Sequence, residues 1–285
     1  MLSSECLSQV YYSEVVNDLT SRVHSEKKER FAEYVKMLDR AGCKTGRVLD
    51  VGCNAGELLQ LFHNLGWEVA GVEISPGPAA LARTRLGATI WQGAVEDVLP
   101  EKECFGLVTL THVLEHLLEP QSVLERLREA LGNGVLLVEV PNAEDRLIKI
   151  WRGLYRQLCP GDHVSFFSES SLRTLLQRAG FDVIEVLMPT HARDLVYPSL
   201  LSSVDCLKHF TRLMTRRKAP GEAASSQGVF THVRYRGKLR VPLRRVIDST
   251  CARLDPFVVA ATQRYSATGP VLIATARSRT NLPHV

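Results

Sequence analysis

The segment Val48-Leu49-Asp50-Val51-Gly52-Cys53-Asn54-Ala55-Gly56 sets an acid and two glycines at the end of a short apolar run. Glycine in such a turn lets the backbone approach a ligand closely, because no Cβ stands in the way. The spacing is G-x-x-x-G, which matches neither the G-x-G-x-x-G of a nicotinamide site nor a phosphate loop closed by G-K-[ST]. A carboxylate at Asp50 would repel a pyrophosphate and suits a ligand with a positive amino group. A second acid, Glu73, follows 23 residues later, after Val69-Ala70-Gly71-Val72. There a carboxylate can accept hydrogen bonds from both ribose hydroxyls. The pair therefore points to a nucleoside-containing ligand. His112, His116 and His163 are the candidates for a general base, since imidazole titrates near neutrality. His163 is the first choice, and Glu115, next to His116 in the sequence, is expected to bind backbone amides at a helix start.

These residues need elements to position them. Apolar residues at helical spacing over 14–41 (Val15, Val16, Leu19, Val23, Phe31, Val35, Leu38) predict one or two amphipathic helices. From Arg47 onward short apolar runs alternate with helical patterns. Strands are expected at 47–52, 67–74, 89–91, 105–110, 135–140, 181–187 and 271–276, with helices at 57–62, 78–86 and 120–131. Ser168 can cap a further helix that ends at Ala179-Gly180. The alternation predicts an α/β fold with a doubly wound, mostly parallel seven-stranded sheet. Three regions follow: an N-terminal helical segment over 1–44, a core over 45–189 with 269–279, and an insertion over 190–268. Within the insertion, helical spacing spans 200–214 and 243–254, and 216–228 has the composition of a linker.

Read in order, VLDVGCNAGELL, GVEIS, GAVEDV, FGLVTLTHVLEHLLEP, GVLLVEVPN and PGDHVSFFSESSLRTLLQRAGF resemble a class I S-adenosylmethionine-dependent methyltransferase. The resemblance covers roughly 45–187 and the final strand. It is strongest to the methyltransferases related to those of ubiquinone biosynthesis and of glycan and small-molecule O-methylation. It implies that S-adenosylmethionine is the cofactor, with Asp50, Gly52, Cys53 and Gly56 around its methionine part. It further implies that Glu73 holds the ribose, that Ile74 packs on adenine, that Val95 and Glu96 line the adenine edge, and that His112 lines the methionine pocket. Asn54 replaces a frequent glycine, and Ala94 an aspartate that many relatives aim at the adenine amino group. Pro141-Asn142 is not the N-P-P-[YF] signature of many amino-group methyltransferases. The implied reaction is in-line displacement onto a hydroxyl of a small molecule, glycan or lipid-linked acceptor, with a histidine taking the proton. Asp162, Trp151 and Tyr155 are candidates for shaping the acceptor pocket.

Composition excludes collagen-like, coiled-coil and wholly disordered chains: of 285 residues 45% are hydrophobic and 23% charged. The seven cysteines form no C-x-x-C pair. Neither a disulfide framework nor a metal site is expected, and the compartment is expected to be reducing and cytoplasmic. The first residues carry no leader pattern, and no run is apolar enough to span a bilayer. Residues 190–268 hold 14 Lys or Arg against 5 Asp or Glu, leaving the remainder net acidic. Packing or homodimerisation is the first expectation for this basic insertion. Peripheral contact with an anionic membrane surface through 200–254, where Arg240, Arg244 and Arg245 flank Leu243, Val246 and Ile247, is the second. Nucleic acid is third, since no RNA-binding signature accompanies the charge. The alternatives to a methyltransferase of hydroxyls are a non-catalytic scaffold of the same fold and, behind it, an RNA methyltransferase.

Overall fold

The structure, a computed structural model, describes residues 28–99, 104–151, 163–190, 253–254 and 269–279. The helical patterns before residue 28, those at 200–214 and 243–252, the linker, Tyr155 and Asp162 lie outside the described residues, as does the side chain of Trp151. Two compact units emerge: Met1–Glu144 with Cys159–Met188 and Val271–Val285, and Asp145–Leu158 with Pro189–Pro270. The second unit thus takes in 145–158 besides the segment read as an insertion.

In the first unit, β1 (Arg47–Val51), β2 (Glu68–Glu73), β3 (Thr89–Gln92), β4 (Leu107–Thr111), β5 (Val135–Pro141), β6 (Phe181–Leu187) and β7 (Val271–Ser278) form one sheet. Its order is β3-β2-β1-β4-β5-β7-β6. The first five strands are parallel, while β7 runs antiparallel to both β5 and β6. Strands β1, β4 and β5 are buried almost throughout, as befits parallel strands covered on both faces. On one face Leu49, Val51, Val108, Leu110, Leu136 and Val138 pack on helices. These are α5 (Pro120–Leu131) and α7 (Glu169–Arg178).

The opposite face, with Val48, Val69, Leu107 and Leu137, meets α1 (Lys28–Arg40), α2 (Glu57–Asn64) and α3 (Pro76–Leu86). The buried residues of α1 are Tyr34, Met37 and Leu38, and Val35 is exposed. The apolar stripe is therefore rotated from the one read in sequence, because the tyrosine hydroxyl finds a buried partner on β5. Helix starts follow local chemistry. Pro76 opens α3, and Gly87, at φ 61, ends it. At α7 the Ser168 side chain accepts from the Ser171 N–H while the Ser171 hydroxyl accepts from the Ser168 N–H. Two short elements had no sequence expectation, α4 (Val95–Val98) and α6 (Arg146–Trp151). A single 3-10 turn, Leu114–His116, follows β4. No helix among the described residues is long and apolar enough to cross a membrane.

Candidate active site

Strand order reverses at β1, whose neighbours are β2 on one side and β4 on the other. Ligands of open α/β sheets bind beyond the carboxyl ends of the strands at such a point. The turn after β1 begins with Gly52 at φ 74, and the N–H groups of Gly52 and Cys53 both donate to the Val72 carbonyl. A Cβ on Gly52 would overlap the Cγ2 methyl of Val113. Asn54 takes φ 49 and its Oδ1 accepts from the Ala55 N–H at 2.7 Å, so its side chain supports the left-handed conformation that glycine would adopt freely. Gly56, at φ 78, starts α2, and its missing side chain makes room for Leu86 and Ala82 of α3.

The two acids are built differently. Asp50 is buried within β1 and accepts the Thr109 hydroxyl at 2.7 Å. Glu73 ends β2, where Oε2 accepts the Asn54 N–H at 2.9 Å and Oε1 the Ser75 N–H at 2.8 Å. Each carboxylate oxygen retains a second lone pair for a ligand hydroxyl. Cys53 is buried beneath this turn, and Gly71 leaves space for its sulfur. Burial, reinforced by the charges of Asp50 and Glu73, pushes its thiol far above the ordinary range. It is a neutral wall and no nucleophile. Ile74, next after Glu73, is 40% exposed. Val95 is buried at the start of α4, with Glu96 exposed beside it. The glycine turn, the carboxylate at the end of β2 and the exposed apolar side chain beside it are a lining that an adenosine ligand bearing a cationic amino acid would fit. The sequence-read donor residues are thus gathered at one end of the sheet.

The histidines divide into two groups. His112 follows β4 at φ 56, its Nδ1 3.2 Å from Glu115 Oε1 and its Nε2 2.9 Å from Glu139 Oε1. Desolvation opposes its charge, but hydrogen bonds and charge from Glu115 and Glu139 outweigh it and raise the imidazole to about 10. Glu139 is itself lowered to about 2: burial acts against ionisation, and Arg30, His112 and Tyr34 overcome it. His112 is therefore an imidazolium with both N–H groups engaged, which leaves it no lone pair for a proton. His116 and His163 face each other edge to face, ring centroids 4.9 Å apart, with Phe166 6.1 Å from His163.

Among the described residues the carboxylate of Glu115 binds His112 and no backbone amide, contrary to the helix-start role expected for it. Its carbonyl instead accepts the N–H groups of Val164 and Ser165. Its Oε2 is buried with no hydrogen-bond partner among the described residues. Glu115, His116 and His163 each present an atom within 4.8 Å of the others, a donor set able to hold a divalent cation. The sequence expected no metal site, because the three come from segments 47 residues apart.

Sequence reading missed Arg30, Tyr34, Thr109 and Glu139. A signal existed for Glu139, the lone charge in Val135-Leu-Leu-Val-Glu-Val140. Arg30 and Tyr34 carried one too, standing four apart on one helical face.

Residues 24–186 match the profile of the family described as methyltransferase domain. A ubiquinone biosynthesis O-methyltransferase of Cereibacter sphaeroides is 30% identical over 151 residues, 49% of this chain and 61% of that protein. One from Pseudomonas aeruginosa is 28% identical over 180 residues, 59% of this chain and 78% of its own. The chain thus spans about three fifths of the first of these relatives. Among solved structures, a SAM-dependent methyltransferase from Archaeoglobus fulgidus superposes with a TM-score of 0.50 at 18% identity, covering 89% of this chain and 97% of that one.

Proposed function

This chain belongs to the methyltransferase-domain family, and from that premise we propose that it transfers a methyl group from S-adenosylmethionine to a hydroxyl of a small molecule, glycan or lipid-linked acceptor. The observation that carries the reading is the His116–His163 pair, His116 standing three residues after Val113, the side chain that packs against the glycine turn at Gly52. The relatives named as O-methyltransferases support the oxygen acceptor. When bound, the cofactor supplies a methyl group already activated by its sulfonium.

The protein's own work is alignment, exclusion of water and removal of one proton. Asp50, Gly52, Cys53 and Gly56 would surround the methionine part, Glu73 would hold the ribose, and Ile74, Val95 and Glu96 would bound the adenine. His163, with His116 beside it, accepts the hydroxyl proton as the nucleophile advances. His112 is reserved for orientation by its charge. A scaffold without catalysis is the competing reading. The retained Asp50, Gly52, Gly56 and Glu73 weigh against it, since a mere scaffold has no need of a buried acid and left-handed turn at this place. For the basic insertion we keep the order of packing or homodimerisation first and an anionic membrane surface second.

Calorimetric titration with S-adenosylhomocysteine, beside NAD and beside an Asp50→Ala, Glu73→Ala variant, tests the donor site. Binding of the thioether alone, lost in the variant, is expected, and well-folded protein that binds neither would favour the scaffold. For the base, His163→Ala should lower turnover by about 100-fold or more with thioether affinity intact; full turnover in that variant would remove the assignment. Exhaustive chelation separates two uses of the same side chains. Turnover that survives it keeps His163 as base, whereas turnover lost and restored by a divalent cation, with the cation no longer restoring it in a Glu115→Gln variant, would assign Glu115, His116 and His163 as its ligands.

A further inference from the structure

Every residue of β5 is buried, and yet it contains Glu139. A charge placed there opposes folding unless it is fully paired, so its partners indicate its use. Oε2 accepts the Tyr34 hydroxyl at 2.7 Å and lies 3.7 Å from Arg30 Nε. Oε1 lies 2.9 Å from His112 Nε2, and the Glu139 carbonyl accepts the His112 N–H, also at 2.9 Å. One residue thus grips His112 by side chain and backbone. It does so where His112 holds a positive φ of 56°, a conformation costly for a residue with a Cβ. Glu115 completes the line at 3.2 Å from Nδ1. A continuous polar chain therefore runs from α1 through β5 to residues 111–116.

That segment has two working sides. Val113 fills the space above Gly52, and the Glu115 carbonyl receives the N–H groups of Val164 and Ser165 at 2.8 and 3.0 Å. His116 reaches His163 from the same turn. Any displacement of the segment shifts donor turn and acceptor side together. We propose that Glu139 is a positioning residue: braced by Tyr34 and Arg30 and acting through His112, it holds residues 111–116 so that methyl donor and acceptor meet in line. This rests on the methyl-transfer reading, and it makes the N-terminal helix part of the catalytic apparatus.

The test is a double-mutant cycle in the full chain on Glu139→Gln and His112→Asn, asparagine being tolerant of positive φ, with Tyr34→Phe alongside. S-adenosylhomocysteine affinity is read by calorimetry, and kcat and acceptor KM by steady-state turnover. Glu139→Gln should weaken thioether binding roughly tenfold, the scale of one lost charged hydrogen bond. It should lower kcat by about 100-fold, the cost of misplacement by an ångström, with acceptor KM little changed. The double variant should be no worse than His112→Asn alone, because Glu139 acts through His112.

Wild-type affinity and kcat in a folded Glu139→Gln variant, or losses that simply add in the double variant, would overturn the proposal. Tyr34→Phe removes one hydroxyl from the same chain and should lower kcat in the same direction. It keeps the question answerable if Glu139→Gln does not fold, and unchanged kcat in it would then count against the network. Wild-type protein that binds the thioether but methylates no hydroxyl would refute the acceptor and leave the affinity cycle readable. Wild-type protein that does not bind the thioether would sink the methyl-transfer reading itself and the proposal with it.

Discussion

Gly52 turns at φ 74 directly beneath Val113, so an alanine there meets both a strained backbone and an occupied space. The left-handed conformation alone costs a residue with a Cβ about 1–2 kcal/mol. Gly52→Ala should accordingly lower Tm by roughly 2–8 °C and weaken S-adenosylhomocysteine binding as Val113 is pushed aside. Scanning calorimetry and titration of the one variant read both, and an unchanged affinity would mean that the turn does not face the ligand. Cys53 offers a contrast in the same turn. Because burial and two neighbouring carboxylates keep its thiol protonated, iodoacetamide at pH 8 should spare it in the native protein while alkylating the exposed Cys104. Peptide mass mapping before and after urea reads the difference. Part of this geometry was legible in residue types: the spacing of Asp50, the glycines and Glu73 reads as a nucleoside site, and the fold sets all of them at the carboxyl ends of β1 and β2. The state of His112 was not, since a histidine's role depends on what faces its two nitrogens, and its partners Glu139 and Glu115 reach it only through the fold.

At the scale of elements, the capping box of α7 gives the clearest local energetics. Ser168→Ala removes the side-chain acceptor for the Ser171 N–H, which should cost about 0.5–2 kcal/mol. Its measure is the urea midpoint, with the slope m unchanged; Ser168→Asp should retain most of the stability by capping the same N–H. Such signals are why the long elements could be read from sequence. Glycine follows β1 and β3 at once, and α3 is bracketed by Pro76 and Gly87. What escaped were pieces whose form is imposed from outside. The Leu114–His116 turn is held by carbonyl contacts to Val164 and Ser165 across the chain, and α4 has only four residues. Likewise Val35 and Tyr34 compete for the inner face of α1. Hydrophobicity favours valine, but the buried Glu139 carboxylate gives the tyrosine hydroxyl a partner and decides the rotation of the helix.

For the molecule as a whole, the same network ties folding to pH with opposite signs on two flanks. The carboxyl of Glu139 stands at about 2 in the folded chain against 4.5 when unfolded. Its stabilisation is fully present above pH 4.5 and is lost as the pH falls toward 2, where the folded state finally takes up the proton. His112 is raised from 6.5 to about 10. Its stabilisation is complete below pH 6.5 and disappears as the pH rises toward 10, because the unfolded imidazole has already lost its proton. Tyr34, held far above its ordinary value by burial and by Glu139, adds a further loss only in strong alkali. The charges facing the pair are Arg30 from α1 and Glu115 from the turn after β4, while Asp50 from β1 acts on Tyr34. The two flanks describe one ion pair seen from either partner, so their magnitudes are not to be added, and half-exposed His112 contributes less than a sealed ion pair would. Equilibrium urea unfolding from pH 3 to 10 should therefore give a wild-type stability that exceeds that of Glu139→Gln most between pH 4.5 and 6.5. The difference should shrink on both sides. A difference flat across the whole range would show that Glu139 acts by packing alone, and one that shrinks only in acid would show that His112 is neutral in the folded protein and available, after all, to accept a proton.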